Sequence, residues 1–554
     1  MEILQIKDLS FSYPNEQVKA LDNINLNIKK GSFSLLIGKS GCGKTTLLRL
    51  IKKELAPFGD QQGNIIYNGV NLNNVESSIS AAEIGFVGQN PDEQIVTDKV
   101  WHELAFGVEN LGVPKDAIRR RVGEMASYFG IQDWYYKNTD ELSGGQKQLL
   151  NLAGVMVMQP KILLLDEPTS QLDPIAAADF IDTLKKLNQE LGLTVLLVEH
   201  RLEEVFPIAD SVLVLDNGQL VCQGDPKEVC KQMKGSDLFA GFPSSSRIWN
   251  ALSVPCDCPL TVREGRDFLE QYYHDCSGEV TVRAEDFDSS EPMVMAKGIW
   301  FRYEKDTPDV LRDFELTVKR GEIFSILGGN GAGKTTMLNV FAGLYKPYRG
   351  KCFINGKKIS QYKNNSLYRH NLALLVQNPK TVFVKNTVKE CFEQMLSAMD
   401  IPNAEYESRI SGMAESLRIE HLLNKHPFDL SGGEMQKCAL VNLLLTEPKI
   451  ILLDEPTKGL DAFSKQQLAD VLKSLKNQGI TIIIVTHDVE FSALVSDRCA
   501  LFFDGQIVSK GTPNEFFSGN SFYTTAASRI SREIFSNAVL CDEVIDLCKG
   551  KINL

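Results

Sequence analysis

Two stretches of sequence decide the fold: Gly38-Lys39-Ser40-Gly41-Cys42-Gly43-Lys44-Thr45-Thr46 and Gly328-Gly329-Asn330-Gly331-Ala332-Gly333-Lys334-Thr335-Thr336. Each matches a phosphate-binding loop, in which backbone N–H groups point at the phosphates of a nucleotide. Glycine is needed there because a side chain would block the close approach of the backbone. In this pattern Lys44 and Lys334 neutralise phosphate charge, and the hydroxyls of Thr45 and Thr335 ligate Mg²⁺. The sequence therefore predicts two nucleotide sites in one chain. In each site, all nine residues of the loop are expected to contact the nucleotide.

Both loops lie in the sequence context that such loops require. Buried strands are predicted at residues 33–37 and 323–327, directly before the loops, and apolar residues at 47–51 and 337–341 predict the helices that follow. Strand, loop and helix in this order form the confirming context. An ordinary flexible glycine-rich loop is the alternative interpretation, and two copies in the same context argue against it.

Composition indicates an ordinary globular protein. Of its 554 residues, 43% are hydrophobic and 23% are charged. A chain of this length is too long for one hydrophobic core, which implies two or three domains. No apolar stretch approaches the ~20 residues of a membrane helix, and no signal peptide is recognisable at the N-terminus. A net charge of −12 argues against nucleic acid as a partner.

The twelve cysteines do not form the pattern of a disulfide framework, which favours a reducing cytoplasm. Cys256, Cys258 and Cys276 are the one local group. Because they offer at most three metal ligands and no flanking C-x-x-C partner, scattered thiols are the favoured interpretation over a metal site.

The two halves of the chain repeat the same motifs at a nearly constant offset. The separation is 290 residues between the loop lysines, 288 between Gln89 and Gln377, and 287 between His200 and His487. We therefore predict one fold, duplicated, with strands and helices that suit a mostly parallel α/β core. The predicted limits are residues 1–235 and 293–520, separated by a connector at 236–292 with one helix near Arg263 to Tyr273, and followed by a helical tail at 521–554.

An apolar strand ending in two acids follows each loop. These acids are Asp166 and Glu167 in the first half, and Asp454 and Glu455 in the second. They are predicted at the carboxyl end of a parallel strand, where open α/β sheets place their ligands. The aspartates suit Mg²⁺ ligation, and the glutamates suit the polarisation of an attacking water.

A third pair of motifs stands between loops and acids: Leu142-Ser143-Gly144-Gly145-Gln146-Lys147-Gln148 and Leu430-Ser431-Gly432-Gly433-Glu434-Met435-Gln436. Together with the loops and acidic strands, these segments resemble the signature of ABC-type ATPases over nearly the whole of both halves. The serines and glycines are predicted at helix N-termini, where free N–H groups attract phosphate. The resemblance implies two tandem P-loop ATPase domains, each with a mostly parallel core, an antiparallel β subdomain and a helical signature subdomain.

The resemblance also implies composite sites, in which the signature of one half completes the ATP site of the other by intramolecular pairing. Site one would combine Lys44, Thr45, Gln89, Asp166, Glu167 and His200 with Ser431, Gly432 and Gly433. Site two would combine Lys334, Thr335, Gln377, Asp454, Glu455 and His487 with Ser143, Gly144 and Gly145. The glutamates and histidines would be catalytic, the two glutamines would help to ligate Mg²⁺, and an isolated half should be nearly inert.

Two further pairs are assigned by the resemblance. Tyr13 and Tyr303 are similar to the aromatic residue that stacks on adenine, although an ordinary buried aromatic is the alternative. Asp173 and Asp461 are similar to the acids of the loop between the halves. Because no motif residue is lost in either half, we expect both sites to hydrolyse ATP.

The segments after the two glutamines indicate a branch of the family. Asn90-Pro91-Asp92-Glu93-Gln94-Ile95-Val96, followed by Val100 to Gly107, resembles the energy-coupling factor (ECF) branch of ABC importers, and Gln377-Asn378-Pro379 with Phe383-Val384 is similar. So is the connector segment at residues 259–264. The resemblance implies uptake of a vitamin or of cobalt or nickel, with a transmembrane coupling protein and a substrate-binding membrane protein as partners. The chain would then be peripheral, on the cytoplasmic face of the membrane.

Two alternatives stay open at this point. A tandem ATPase of a sugar importer shares the layout, but its second loop or signature often departs from the pattern. A ribosome-associated twin ATPase usually carries a long charged helical linker, whereas this connector is short and rich in Pro and Ser.

Overall fold

A computed structural model describes residues 1–14, 16, 18–276, 278–280, 291–363 and 366–550. Residues 281–290 of the predicted connector and 551–554 of the predicted tail lie outside the described part. The structure divides into two compact units. Unit 1 comprises Met1–Asn250 and Val254–Thr261, and unit 2 comprises Ala251–Ser253 and the chain from Val262 onward.

Unit 1 contains two β-sheets. Its strands are β1 (Glu2–Ser12), β2 (Leu21–Lys29), β3 (Phe33–Ile37), β4 (Asp60–Tyr67), β5 (Val70–Asn71), β6 (Ile84–Val87), β7 (Ile162–Asp166), β8 (Thr194–Val198), β9 (Ser211–Asp216) and β10 (Gln219–Gly224). The smaller sheet is antiparallel, with strand order β2-β1-β4-β5. The larger has the order β10-β9-β3-β8-β7-β6 and is parallel except for β10.

The helices of unit 1 are α1 (Lys44–Ile51), α2 (Ser77–Glu83), α3 (Pro91–Gln94), α4 (Val100–Asn110), α5 (Lys115–Tyr128), α6 (Gly144–Val157), α7 (Pro174–Leu191), α8 (Leu202–Val205), α9 (Pro226–Gln232) and α10 (Ser244–Leu252). Helices α4, α5 and α6 pack on one another and form the predicted helical subdomain. Every residue of β3, β7 and β8 is buried, as expected for central parallel strands that are covered on both faces.

Unit 2 repeats this architecture. Its strands are β11 (Pro292–Phe301), β12 (Leu311–Lys319), β13 (Ile323–Leu327), β14 (Arg349–Ile354), β15 (Lys357–Lys358), β16 (Leu372–Leu375), β17 (Ile450–Asp454), β18 (Thr481–Val485), β19 (Arg498–Phe503) and β20 (Gln506–Gly511). The antiparallel sheet has the order β12-β11-β14-β15, and the larger sheet has the order β16-β17-β18-β13-β19-β20. Both orders match those of unit 1 strand for strand, so the predicted duplication and the predicted α/β class are confirmed.

The helices of unit 2 are α11 (Val262–Tyr273), α12 (Lys334–Phe341), α13 (Val388–Ala398), α14 (Tyr406–Leu417), α15 (Gly432–Leu444), α16 (Ala462–Asn477), α17 (Val489–Val495), α18 (Pro513–Gly519), α19 (Ala526–Ser531) and α20 (Cys541–Cys548). Helices α13, α14 and α15 form the second helical subdomain. In the part of the chain that the structure describes, no helix is both long and apolar enough to cross a bilayer.

The duplication extends beyond the ATPase cores. The backbone N–H at the start of α10, on Ser244, donates to Glu203 Oε1 at 2.7 Å, and that of Ala526 at the start of α19 donates to Glu490 Oε1 at the same distance. Each segment also has a hydroxyl-to-carbonyl bond, but in a different register: from Ser245 within α10 to Pro259, and from Thr525, the N-cap of α19, to Val539. The tail and the start of the connector therefore share a helix whose first N–H meets a glutamate, and α10 is a helix that the sequence analysis did not anticipate.

The helix near Arg263 is present as α11, and it packs on α19 within unit 2. Arg266 Nη2 of α11 donates to the carbonyl of Arg529 at 3.1 Å. The side chain of Asn537 exchanges two hydrogen bonds of 2.9 Å with the backbone of Val280. The end of the described connector is thus fixed to the C-terminal tail.

No disulfide joins the cysteines, all of which lie in the described residues. The structure also brings together no group of three or more His, Cys, Asp or Glu residues that could hold a metal ion, in the part it describes. Cys258 lies instead beside Cys230, and both thiols are buried.

Candidate active sites

The phosphate loops connect the central strand of each sheet to a helix, β3 to α1 and β13 to α12. The last loop glycine before each helix has a positive φ, 102° at Gly43 and 105° at Gly333. A Cβ on Gly43 would lie 2.5 Å from the carbonyl oxygen of Ala20, and one on Gly333 would lie 2.9 Å from Val310 Cγ1. Conformation and space both demand glycine here, as the sequence pattern implied.

The loop lysines are buried and held by the loops themselves. Lys44 Nζ donates to the carbonyls of Gly38 and Lys39, at 2.8 and 2.9 Å. Lys334 Nζ makes the same two bonds, at the same distances, to Gly328 and Gly329. Each ammonium group is therefore fixed within its loop, where it can meet the charge of a phosphate.

The threonine and aspartate of each predicted Mg²⁺ site are in contact. Thr45 Oγ1 donates to Asp166 Oδ1 at 3.2 Å, and Thr335 Oγ1 donates to Asp454 Oδ2 at 2.8 Å. Asp454 Oδ1 is buried and has no hydrogen-bond partner among the described residues. A carboxylate oxygen that lacks a partner, beside a hydroxyl, fits a divalent cation that prefers oxygen ligands.

Burial raises the pKa of both aspartates. Loss of solvation and then the charge of Glu167 raise the pKa of Asp166 to about 6. Loss of solvation also raises the pKa of Asp454 to about 6, with a further contribution from Glu455, although the Thr335 bond opposes the shift. A bound cation would favour the ionised form of both groups.

The glutamates that are predicted to be catalytic follow these aspartates in an uncommon backbone conformation. Glu167 has φ 48° and Glu455 has φ 50°, in the left-handed region that costs an ordinary residue about 1–2 kcal/mol. Hydrogen bonds from their N–H groups to the carbonyls of Val198 and Val485, at 3.0 and 2.8 Å, hold this conformation. Strain of this kind is kept at functional sites.

Each glutamate contacts the histidine that the sequence analysis paired with it, through different ring nitrogens. His200 Nε2 lies 2.7 Å from Glu167 Oε1, and His487 Nδ1 lies 3.0 Å from Glu455 Oε2. Burial acts to raise the pKa of Glu455, but the neighbouring His487 and Lys334 and the hydroxyl of Thr486 together outweigh it, so that the pKa is lowered overall. This glutamate is held in the ionised form that a general base requires.

The other contacts of the two glutamates also differ. Gln89 Nε2 donates to Glu167 Oε2 at 2.9 Å. Gln377 is exposed and makes no such bond to Glu455 among the described residues, where the hydroxyl of Thr486 donates to Glu455 Oε2 at 3.0 Å instead. Both glutamines are exposed, so the difference is that Gln89 is bonded to the glutamate of its site, whereas Gln377 makes no equivalent bond among the described residues.

The signature serines are the N-caps of α6 and α15. Ser143 Oγ accepts from the N–H of Gln146, whose side chain accepts from the N–H of Ser143 in return. Ser431 and Glu434 form the same reciprocal pair. The paired glycines Gly144, Gly145, Gly432 and Gly433 occupy the first turn of each helix, so their N–H groups have no partner within the helix.

The two tyrosines lie beside the loops. Tyr13 Oη is 2.9 Å from Thr46 Oγ1, and Tyr303 Oη is 2.7 Å from Thr336 Oγ1. Tyr303 is 58% exposed, which leaves a ring face open for a base, and stacking on adenine stays a prediction. Asp173 and Asp461 are the N-caps of α7 and α16, the long helices that follow the acidic strands.

Sequence reasoning missed three residues that line these sites: Glu199, Thr169 and Thr486. Glu199 precedes His200, and Thr486 precedes His487, so the two units differ at one equivalent position. Alignment of the halves at the 287-residue offset would have revealed this difference.

Comparison with known proteins agrees with the geometry. The model of the ABC transporter family matches residues 21–170 and 311–458, one match in each unit. The chain belongs to the ABC transporter family. Two matches in tandem, and relatives named as ABC transporter ATP-binding proteins, identify the protein as an ABC ATPase with two tandem domains.

Similar proteins match this ABC ATPase along its whole length. A protein of Bacillus anthracis named as an ABC transporter ATP-binding protein is 43% identical over 99% of this chain and 98% of its own. One from Methanosarcina acetivorans with the same name is 33% identical over 93% of this chain and 86% of its own. Among solved structures, cbiO1 of Clostridium perfringens, described as part of the ABC transporter complex cbiONQ, covers 43% of this chain and 97% of its own, with 32% identity and a TM-score of 0.38.

Substitution of a loop glycine tests whether close packing sets nucleotide binding. Gly43→Ala should remove one of the two ATP sites in an equilibrium titration, because its Cβ would meet the backbone of Ala20. Gly69→Ala is the matched control, because Gly69 also has a positive φ, a Cβ there would have no atom within 4 Å, and the residue lies outside the loop. Equal affinities for the two variants would contradict this explanation.

The raised aspartate pKa values predict how stability depends on pH. In wild type, the nucleotide-free folded state binds more protons than the unfolded chain between the ordinary value of 3.8 and about 6. Each aspartate therefore contributes to the free energy of unfolding below pH 3.8, and this contribution is lost as the pH rises through 6. The loss amounts to up to about 3 kcal/mol per site. The melting temperatures of Asp166→Asn and Asp454→Asn, measured without Mg²⁺, should therefore rise relative to that of wild type as the pH increases from 4 to 7. A constant difference across this range would refute the shifts.

Proposed function

We propose that this ABC ATPase powers an ECF-type importer of a vitamin or a transition-metal ion through separate membrane subunits. The observation that carries the proposal is the segment from Gln89 to Gly107, which resembles the ECF branch and links site one to an exposed apolar surface. Three steps support it: the rigidity of the segment, its connection to the signature helix, and the surface that it presents.

The segment after Gln89 is tightly bonded. Gln94 Oε1 accepts from the N–H of Gly88 at 3.0 Å, and Gln94 Nε2 donates to the carbonyl of Phe86 at 2.9 Å. The side chain of Asn90 caps α3. A displacement of Gln89 by nucleotide would therefore move the whole segment and would not be absorbed within it.

The same segment is bonded to the signature helix α6. Lys147 Nζ pairs with Asp92 Oδ1 at 2.6 Å, and Gln148 Nε2 donates to the carbonyl of Gly88 at 3.0 Å. Through Gln89 it also reaches the catalytic Glu167. The segment thus connects the hydrolytic group of site one with the signature that would complete site two.

Beyond α3 the segment exposes large apolar side chains. Val96 is 62% exposed, and Trp101 and Phe106 on α4 are 41% and 39% exposed. Several exposed large apolar side chains within one short segment support an interaction site there. We assign this surface to the transmembrane coupling protein, which would in turn contact the substrate-binding membrane protein.

The two ATP sites are composite in this proposal. Each unit supplies the loop, the Mg²⁺ ligands, the glutamate and the histidine of one site, and the other unit would supply the signature. Ser143 and Ser431 begin helices whose N-termini suit a terminal phosphate. Bound Mg²⁺, held by Thr45 and Asp166 or by Thr335 and Asp454, would neutralise charge on the phosphates. Glu167 and Glu455 accept a proton from the attacking water, and His200 and His487 orient the glutamates.

Removal of one glutamate at a time tests whether both sites hydrolyse ATP. Glu167→Gln and Glu455→Gln should each retain part of the wild-type turnover, and the double variant should lose at least about 100-fold, because loss of a general base costs that much. Steady-state phosphate release measures all three. A single variant that matches wild type would mean that its site is not catalytic.

Fractionation tests the importer assignment. The native chain should co-purify from membranes with a protein of several transmembrane helices, and Trp101→Glu should release it because a charge cannot enter an apolar contact. Tyr136→Glu is the matched control, since Tyr136 is 79% exposed in the same unit but lies outside the segment from Gln89 to Gly107. Sedimentation with ribosomes and not with membranes would overturn the proposal.

A further inference from the structure

Glu199 is a buried carboxylate that the proposed mechanism does not use. It lies between β8 and His200 and is only 3% exposed. Oε1 accepts hydrogen bonds from the backbone N–H of Thr169 at 3.0 Å and from its hydroxyl at 2.6 Å, and Oε2 accepts from the N–H of His200 at 3.1 Å. Burial raises the pKa of Glu199, although the hydrogen bonds from Thr169 oppose the shift.

The partner of Glu199 begins the loop that leads to Asp173. The carbonyl of Thr169 accepts from the N–H of Leu172 at 3.0 Å, and Asp173 then caps α7. On its other side, the N–H of Ser170 donates to the carbonyl of Glu167 at 3.2 Å. Glu199 therefore ties the backbone of His200 to the loop that runs from Glu167 to Asp173.

Unit 2 has a different residue and different hydrogen bonds at the position of Glu199. Thr486 occupies the equivalent position, and its hydroxyl reaches Glu455 Oε2 directly, at 3.0 Å. The counterpart of Thr169 is Thr457, and the structure shows no hydrogen bond between Thr457 and Thr486 among the described residues. A threonine side chain is too short to span both neighbours as a glutamate does.

We propose that Glu199 is a positioning residue for ATP hydrolysis in site one: it holds His200 in register with the loop that carries Asp173. In site two, Thr486 positions the glutamate itself. The two sites therefore depend on different residues to position their glutamate and histidine. This inference rests on the proposed roles of Glu167 and His200, but it does not depend on the importer assignment.

Steady-state hydrolysis by the purified full-length chain tests the proposal. Glu199→Gln keeps the shape of the side chain but replaces one carboxylate oxygen by an NH₂ group. This group is a donor, and it would face the groups that now donate hydrogen bonds to Glu199. We expect it to lose at least about half of the turnover that Glu167→Gln loses, with the KM for ATP changed less than about twofold, because positioning acts on the reaction and not on binding. Combined with Glu167→Gln, it should cause no further loss.

A double-mutant cycle distinguishes positioning from general support of the fold. Thr169→Val removes the hydroxyl that donates to Glu199, so that Glu199→Gln and Thr169→Val break the same link. The double variant should therefore turn over no more slowly than the slower single variant. Losses that multiply would overturn the proposal, as would a Glu199→Gln variant with wild-type turnover.

An isosteric pair keeps the test informative if Glu199→Gln folds poorly. Glu199→Thr installs the residue of unit 2, and Glu199→Val differs from it only by lacking the hydroxyl. We expect Glu199→Thr to be several-fold faster, because its hydroxyl can reach Glu167 as that of Thr486 reaches Glu455. Equal turnover of the two variants, or a loss that follows melting temperature across the whole series, would overturn the positioning role.

Discussion

A buried ammonium group, enclosed by the carbonyls of its own loop, is the interaction on which each ATP site depends. Lys44 and Lys334 make identical bonds at the start of their loops. This arrangement requires a central strand that delivers the loop to the sheet edge and a glycine that lets the chain enter the next helix. The fully buried strands β3 and β13 and the positive φ at the last loop glycine follow from that requirement.

The acids are organised by the same sheet edge. Because β7 and β17 run parallel to the loop strands, their carboxyl ends bring Asp166 and Asp454 to the loop threonines. The next residue leaves the strand in a left-handed conformation, which directs each glutamate towards a histidine at the end of the neighbouring strand. Burial acts to raise the pKa of both successive acids of unit 2, but the net shifts are opposite: the pKa of Asp454 is raised, whereas the contacts of Glu455 outweigh burial and lower its pKa.

Duplication has preserved the sheet order and the motifs while the supporting contacts have diverged. Glu167 is bonded to Gln89 and to Nε2 of its histidine, whereas Glu455 is bonded to a threonine and lies 3.0 Å from Nδ1 of its histidine. In unit 1 the glutamate is thereby linked to the segment that we assign to the membrane partner. The difference lies in the neighbours of the predicted catalytic groups and not in the groups themselves, so a comparison of those groups alone does not reveal it.

The amino-acid sequence determined the fold class, the duplication, the central strands and the helix that follows each loop. These features depend on local patterns: apolar runs that must be buried, glycines that alone fit the loop, and serines that cap helices. The sequence also indicated α11 near Arg263, but it did not indicate α10 or the likeness of the tail to the connector. That likeness consists of bonds such as Glu490 to Ala526, between residues far apart in the chain.

Only the tertiary structure decided which side chains meet. The bonds of Glu199 to Thr169, of Gln89 to Glu167 and of Thr486 to Glu455 join residues brought together by parallel strands that are distant in sequence. A burial that raises the pKa of an aspartate to about 6 is likewise a property of its surroundings. Periodicity and motif spacing report the local chain, whereas such contacts depend on how separate segments pack.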